Sequence, residues 1–175
     1  RPLRLARGRG AVYKRQARVN YVRDLFLQAA RRDAARGTMS PDIQVGLGLL
    51  YYSTYSYEQA KDCFQAALAS RPNDCQLGNR LGATLANGGN SELATDAYHR
   101  ALELRPSFTR AIYNLSVSCK NLGAHHEAVE HLLSALALQR SQSMPDAPDS
   151  ASMPLSHAKE SESLRNTLRS TLLVM

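Results

Sequence analysis

The sequence predicts an all-α fold, a solenoid of stacked helix-turn-helix repeats. A Leu-Gly or Leu-Ser pair begins at Leu47, Leu81 and Leu115, so it recurs every 34 residues. Other positions keep the same spacing: Ala60, Ala94 and Ala128; Phe64, Tyr98 and Leu132; Ala67, Ala101 and Ala135; Pro72 and Pro106. Ser, Gly and Asn separate segments of helical periodicity. A repeat of this length cannot bury its apolar face alone and stacks on its neighbours.

Each repeated residue type has a place in a pair of antiparallel helices. Small residues let the two backbones approach, the aromatic residue or Leu fills the space between the helices, and Pro ends the second helix. In the first unit, helices are predicted at Gln44–Tyr52 and Tyr57–Ala69. This order of Leu-Gly, Ala, aromatic, Ala and Pro resembles the tetratricopeptide-repeat consensus.

The period divides the chain into segments. We expect a basic tail or linker at 1–18, a partial repeat and loop at 19–39, three repeats over 41–140, a loop at 141–157 and a helical segment at 158–175. The repeats run 41–74, 75–108 and 109 to about 140, and Tyr21–Arg32 is predicted as the second helix of the partial repeat. Helical spacing in the last segment, through Leu164, Leu168, Leu172 and Val174, predicts a helix that covers the apolar end of the repeats.

Most of the positive charge lies in the first segment. The 175 residues include 22 Lys and Arg against 15 Asp and Glu, a formal charge of +7, and seven of the basic residues lie within 1–18, where there is no acid. The rest of the chain is formally neutral. The charge therefore predicts a solvated arm, or a linker of a longer protein, and no nucleic-acid partner.

Cysteine usage and hydropathy indicate a soluble intracellular protein. No apolar run approaches the roughly 18 residues of a membrane-spanning helix, and no segment has the form of a secretory signal. Cys63, Cys75 and Cys119 are unclustered and have apolar or small neighbours. They are predicted to be reduced core thiols.

A polar stripe marks the expected inner face of the repeats. Positions 2, 6, 9 and 13 of each first helix fall on one side of that helix. The second unit supplies Gln76, Arg80, Ala83 and Asn87, the third supplies Arg110, Asn114, Val117 and Asn121, and Asn79 and Ser118 border the stripe. The first unit offers the less distinctive Asp42, Gly46, Leu49 and Ser53.

Four Asn residues near one face of two helices call for an explanation, because Asn is a mediocre helix former. Amides both donate and accept hydrogen bonds, so they can pair with the backbone of an extended peptide. Arg80 and Arg110 suit a carboxylate, and together these residues predict capture of the C-terminal end of a peptide. The alternative interpretation is that Asn87 and Asn121 simply end their helices and the other positions are solvated.

Three stretches carry a closer resemblance: SPDIQVGLGLL (Ser40–Leu50), NRLGATLANG (Asn79–Gly88) and RALELRPSFTRAIYNLSVSCKNLGAHHEAVEHLLSAL (Arg100–Leu136). They resemble the later repeats of the peroxisomal type 1 targeting signal receptors, and 158–175 resembles the start of that family's C-terminal helical bundle. The resemblance implies binding of proteins that end in Ser-Lys-Leu or a similar tripeptide, for import into the peroxisomal matrix. It also implies a cytoplasmic receptor that cycles to the peroxisome or to a glycosome-like organelle.

The resemblance implies roles for individual residues. Asn79, Ala83, Asn87, Asn114, Ser118 and Asn121 would contact the backbone and end groups of the peptide. Arg80, where the family usually has Lys, and Arg110 would place positive charge near its carboxylate. No cofactor, metal or membrane span is implied, and docking proteins of the peroxisomal membrane would bind through regions that this sequence lacks. Gly78 and Arg165 stand where the family has Trp, and the family's earlier repeats are absent.

Other function classes find less support. No phosphate-binding loop, nucleophile motif or zinc-ligand spacing is present, so we do not expect an enzyme. His125, His126, Glu127 and His131 contain no His pair at i, i+4 and are predicted to be a solvated surface. The repeat register places Tyr51 in the core and Tyr52, Tyr55 and Tyr57 mostly in the turn, which disfavours a nucleic-acid stacking platform.

Two other binding roles stay open. One is a generic scaffold that clamps the acidic C-terminal tail of a chaperone, although such a clamp needs Lys or Arg repeated over adjacent repeats, and Asn dominates here. The other is self-association through an exposed apolar end.

Overall fold

The structure, a computed structural model, describes residues 3–38, 40–142 and 155–174, which form eight α-helices and no strand. The helices are α1 (Leu3–Ala35), α2 (Pro41–Ser53), α3 (Tyr57–Ser70), α4 (Cys75–Asn87), α5 (Ser91–Leu104), α6 (Thr109–Asn121), α7 (His125–Gln142) and α8 (Leu155–Leu172). They group into two compact units, residues 1–72 and 73–175. The predicted all-α class of tetratricopeptide-repeat solenoids is confirmed, since each predicted repeat is a helix-turn-helix pair.

The core of the first unit forms where α2 and α3 approach closely. Phe64 is buried beside Ala60 and Ala67, and its ring lies against Gly48. A Cβ added at Gly48 would lie only 2.7 Å from Phe64 Cε1. The repeated small residue and the repeated aromatic residue are therefore direct packing partners, as their spacing predicts.

α1 packs against α2 in the same unit. The Phe26 ring occupies the space beside Gly46, and a Cβ at Gly46 would overlap that ring. The loop after α1 is held by Asp33, whose carboxylate accepts from Ser40 N at 3.2 Å. The helix begins at Leu3 and includes most of the basic segment, for which a solvated arm or linker is predicted. Arg, Ala and Leu in this segment favour a helix, whereas Gly8 and Gly10 disfavour it.

The turn inside each repeat has one residue in the left-handed region: Tyr55 (φ 61°), Gly89 (φ 89°) and Gly123 (φ 79°). The following amide closes each turn on the carbonyl five residues earlier, in the bonds Ser56 N to Tyr51 O, Asn90 N to Leu85 O and Ala124 N to Cys119 O, each of 2.9 Å. The three turns share one geometry, and the first uses Tyr where the others use Gly.

The second unit repeats the packing of the first. Tyr98 is buried against Gly82, where an added Cβ would lie 2.5 Å from Tyr98 Cε1. The surrounding core is apolar and consists of Leu85, Ala94, Ala97, Leu115, Cys119 and Ala128. α4 begins at a capped end, because the Asp74 carboxylate accepts from Gln76 N at 2.9 Å and from Leu77 N at 3.1 Å.

α8 covers the last repeat, as predicted, but not through all the predicted residues. Leu164 is buried against Ile112, Leu132 and Ala135. Leu172 and Val174 are 53% and 61% exposed, and Thr171 is buried instead. The buried side of α8 therefore follows residues 164, 168 and 171, one helical face, and the predicted stripe is wrong at its C-terminal end.

Polar contacts join α8 to α6. The Tyr113 hydroxyl lies 3.1 Å from Ser163 Oγ and 3.3 Å from Thr167 Oγ1, and Lys120 Nζ donates to Ser170 Oγ at 2.7 Å. In the predicted loop at 141–157, residues 143–154 lie outside the described residues. Residues 141–142 belong to α7 and residues 155–157 belong to α8, so the predicted loop is wrong at those residues.

Candidate peptide-binding surface

The predicted stripe lies on α4 and α6, both in the second unit. Arg80, Ala83 and Asn114 are half-buried, and Asn87, Arg110 and Asn121 are exposed. The two helices contain no Asp or Glu, whereas they carry Arg80, Arg110 and Lys120. A ligand approaching this surface meets amides and cations without a competing carboxylate from the same helices.

Two of the predicted Asn residues meet across the two helices. Asn114 Nδ2 donates to Asn79 Oδ1 at 3.0 Å. This bond joins α6 to α4 at the centre of the stripe. Asn79 is 6% exposed, so the bond is largely shielded from water and fixes the position of the Asn114 amide.

Ser118 lies deeper than the other predicted contact residues. It is fully buried, and its Oγ has no hydrogen-bond partner among the described residues. A buried hydroxyl without a partner is unfavourable. Ser118 and Asn79 therefore lie beneath the stripe, and direct contact of Ser118 with a peptide stays a prediction.

Asn87 and Asn121 have the same place in their repeats, because each is the last residue of its helix. Asn87 Nδ2 donates to Ala83 O, four residues earlier, at 2.9 Å. This bond orients the exposed amide at the end of α4. Ending a helix and binding a ligand are thus compatible for these two residues.

Gly78, at the position where the resembled family has Trp, lies where α4 approaches α5. A Cβ at this position would lie 3.3 Å from Ala101 Cβ and 3.7 Å from Ala97 O. The backbones of α4 and α5 therefore approach closely at Gly78, and little space remains there for a larger side chain.

In the first unit the predicted inner-face positions do not form a polar stripe like that of α4 and α6. Asp42 pairs with Arg71 at 2.8 Å, and Gly46 is covered by the Phe26 ring. Of that stripe, Leu49 is 45% exposed. The chemistry expected for peptide binding is therefore concentrated on α4 and α6.

The predicted solvated histidine surface is only partly exposed. His126 Nε2 lies 3.2 Å from Glu130 Oε1, with both side chains exposed, whereas His125 Nδ1 is buried without a partner among the described residues. The His131 ring lies 6.5 Å from that of His99, edge to face. Burial and then the neighbouring His99 lower the pKa of His131. No group of three potential metal ligands occurs in the described part of the chain.

The three cysteines are free thiols. Burial, with a smaller contribution from a nearby carboxylate, raises the pKa of Cys63 and of Cys119. A shallow depression on α8 is lined by Glu162, Ser163, Asn166, Thr167 and Ser170. Three of these residues, Ser163, Thr167 and Ser170, contact Tyr113 or Lys120 of α6. None of the described helices is both long and apolar enough to cross a bilayer.

Comparison with known proteins shows which proteins this chain is related to. The tetratricopeptide-repeat model matches residues 41–74 and 109–142, in the register predicted from the 34-residue period. The peroxisomal targeting signal receptor of Candida albicans is 46% identical over 154 residues, which cover 88% of this chain. This chain is a relative of the peroxisomal targeting signal receptors. The receptor of Eremothecium gossypii is 46% identical over 82% of the chain, and that of Saccharomyces cerevisiae is 50% identical over 65%.

The chain spans about a quarter of the length of the first two of these peroxisomal targeting signal receptors, 25% in each case. Among solved structures, MamA MSR-1 C2 has a TM-score of 0.66 at 24% identity, covering 75% of this chain and 73% of that one. The type III secretion chaperone SycD of Yersinia enterocolitica has a TM-score of 0.65 at 20% identity, covering 76% and 92%. At these identities the likeness shows the fold alone.

The predicted polar residues lie on α4 and α6, and two features of this region were not predicted from the sequence. One is the pairing of Asn79 with Asn114, although their 35-residue separation places them one position out of register in adjacent repeats. The other is the set of contacts of Tyr113 and Lys120 with α8, which was missed because hydroxyl partners carry little periodic signal in a sequence.

Proposed function

We propose that this chain is the peptide-reading module of a peroxisomal targeting signal receptor. It binds the C-terminal tripeptide, of the Ser-Lys-Leu type, of proteins destined for the peroxisomal matrix. The amides of α4 and α6 pair with the peptide backbone, and Arg80 and Arg110 attract the terminal carboxylate. The role is that of a receptor and not of an enzyme.

The observation that carries the proposal is the Asn114 to Asn79 hydrogen bond of 3.0 Å between two helices that contain no acidic residue. One donor of Asn114 is used in this bond, which leaves its second donor and its carbonyl for a ligand. An ordered amide between two Arg-bearing positions suits a neutral backbone followed by a negative end. The likeness to receptors named for peroxisomal targeting supports the same ligand.

The cellular role follows from the same proposal. The module binds cargo in the cytoplasm and travels to the peroxisome, and proteins of the peroxisomal membrane provide docking there. The absence of a spanning helix among the described residues is compatible with docking through partners.

The test is fluorescence anisotropy with a labelled peptide ending in Ser-Lys-Leu and the same peptide amidated at its end. We expect saturable binding of the free acid, and an affinity at least about tenfold weaker for the amide, since a charge-assisted interaction is lost. Asn114→Ala should weaken binding of the free acid by a similar factor.

Asn90→Ala is the matched control, because Asn90 is an exposed amide outside the stripe and makes no capping bond. It should bind as the unmodified chain does. Equal binding of acid and amide, or an Asn114→Ala variant that binds normally, would contradict the proposal.

A further inference from the structure

The outer face of α1 is an exposed apolar surface with no role in the proposed function. Tyr21 is 65% exposed, Leu25 46% and Val22 37%. Tyr21 and Leu25 lie on one side of the helix, and Val22 lies at the edge of that side, next to Phe26, which packs against Gly46 of α2. α1 therefore has one side that is used within its unit and another that is open to a partner.

Cations lie on the same side of the helix as these apolar residues. Lys14 and Arg18 precede Tyr21 by two turns and one turn, Arg32 follows Leu25 by two turns, and all three are exposed. Over its whole length α1 carries nine Lys and Arg against two Asp. Both acids have partners: Asp24 lies 3.3 Å from Arg23 of the same helix, and Asp33 accepts from Ser40 N.

We propose that this outer face, formed by Lys14, Arg18, Tyr21, Val22, Leu25 and Arg32, is a docking surface for an acidic amphipathic helix of a polypeptide partner. Tyr and Arg are enriched at protein interfaces, with an apolar centre surrounded by a polar rim. The face has this arrangement, with Tyr21 and Leu25 in the centre, Val22 at one edge and cations at both ends. Its charge selects a partner rich in Asp and Glu.

The arrangement of charges favours a polypeptide over a lipid surface. A helix that lies in a membrane interface has a broad apolar side and carries its cations on the opposite, polar side. Here the cations are in line with the apolar residues along the helix axis. A second helix laid along α1 places carboxylates opposite the cations and apolar side chains on Tyr21 and Leu25.

The test uses the full chain and a labelled synthetic peptide of about 18 residues, which spans ~27 Å as a helix and so matches the distance from Lys14 to Arg32. The peptide carries Leu and Phe on one helical side and Glu on the other, and a scrambled peptide of the same composition is the reference. Anisotropy should show tighter binding of the amphipathic peptide than of the scrambled one, with affinity that falls as salt is added.

Two variant pairs locate the binding. Tyr21→Ser with Leu25→Ser should weaken binding by about fivefold or more, whereas Tyr55→Ser, at a 78% exposed tyrosine of the same unit, should not. Lys14→Gln with Arg18→Gln should also weaken it, whereas Arg36→Gln with Arg100→Gln, which removes the same charge elsewhere, should not. Far-UV circular dichroism checks that each variant keeps its helix content, and the charge variants alter no apolar residue.

Equal affinity for the amphipathic and scrambled peptides would overturn the proposal, as would loss of binding in both charge pairs alike. Sedimentation with vesicles of phosphatidylcholine and phosphatidylserine is run in parallel. Binding to the vesicles that depends on Tyr21 and Leu25, without binding of the peptide, would overturn it in favour of a membrane surface.

Discussion

At the scale of single residues, the candidate surface combines groups in three states of hydrogen bonding. Asn114 is paired to Asn79, Asn87 is paired to its own helix, and the Ser118 hydroxyl has no partner among the described residues. Amides that are already oriented lose less conformational entropy on binding a peptide. The surface is therefore preorganised at its centre.

Arg80 is expected to interact with the terminal carboxylate of the bound peptide. We expect Arg80→Gln to weaken binding of a free-acid peptide about five- to tenfold, because a carboxylate loses a cationic partner, and to change binding of the amidated peptide little. Isothermal titration at two salt concentrations measures this, and the difference should shrink as salt rises. Arg100→Gln, exposed on α5, is the control. An equal loss for both peptides would contradict a carboxylate contact.

His131 should make stability depend on pH. Burial and His99 lower its pKa from the ordinary 6.5, while Glu127 and Glu130 oppose the shift, so the folded state favours neutral imidazole. The unfolded chain then binds more protons, and the free energy of unfolding falls as the pH drops through about 6.5. Urea unfolding at pH 7.5 and 5.5 should show a smaller pH effect in His131→Gln than in the unmodified chain.

His126→Gln serves as the control for this measurement, because the His126 side chain is 79% exposed and not buried against another helix. It should keep the pH dependence that His131 causes. A His131→Gln variant with unchanged pH dependence would show that His131 does not carry the effect.

At the scale of helices, the repeats depend on small residues that admit an aromatic ring. Gly48 faces Phe64, and Gly82 faces Tyr98, at equivalent positions 34 residues apart. A methyl group at either glycine meets a ring that is itself enclosed by buried alanines. The close helix pair is therefore the least tolerant part of the repeat.

Two glycines of α4 allow a direct comparison. Gly82→Ala should lower the free energy of unfolding by about 1–3 kcal/mol, because its Cβ would lie 2.5 Å from Tyr98 Cε1. Gly78→Ala should cost less or stabilise slightly, since its Cβ would lie 3.3 Å from Ala101 Cβ and alanine favours the helix. Thermal unfolding of both variants measures the difference. Equal values for the two variants would contradict the tighter contact of Gly82 with α5.

At the scale of the whole molecule, the chain contains two units, each with its own core, and the second ends in a covering helix. α8 buries Leu164 on α6 and α7 and adds hydroxyl contacts to Tyr113 and Lys120. A repeat array needs such a cover, because each repeat otherwise leaves an apolar face in water. α8 therefore serves stability, and the candidate surface lies on other helices.

Leu164 should contribute most of the stability that α8 adds to the last repeat. We expect Leu164→Ala to lower the free energy of unfolding by about 2–4 kcal/mol, since a buried leucine leaves a cavity. Leu172→Ala, at a 53% exposed leucine of the same helix, should change it by less than about 1 kcal/mol. Urea unfolding gives both values, and a large effect of Leu172→Ala would favour the stripe predicted from sequence over the observed one.

Periodicity in the sequence determined the repeat boundaries, the helix pairs, the glycine and aromatic partners, and the two helices that carry the polar stripe. These features follow from local geometry, because side chains that recur at helical spacing share one face in any folded context. The stretches around Asn79 and Arg100 also indicate the receptors to which this chain is related.

Tertiary structure alone decided how deep each residue lies. In the folded chain, Asn79 and Ser118 are buried beneath the stripe, and Phe26 covers Gly46. On the inner side of α8, Thr171 is buried and Leu172 is exposed. Spacing specifies the direction of a side chain from its helix, whereas burial depends on which neighbouring helix approaches and how closely. That choice is made by the packing of residues distant in sequence, so no local pattern contains it.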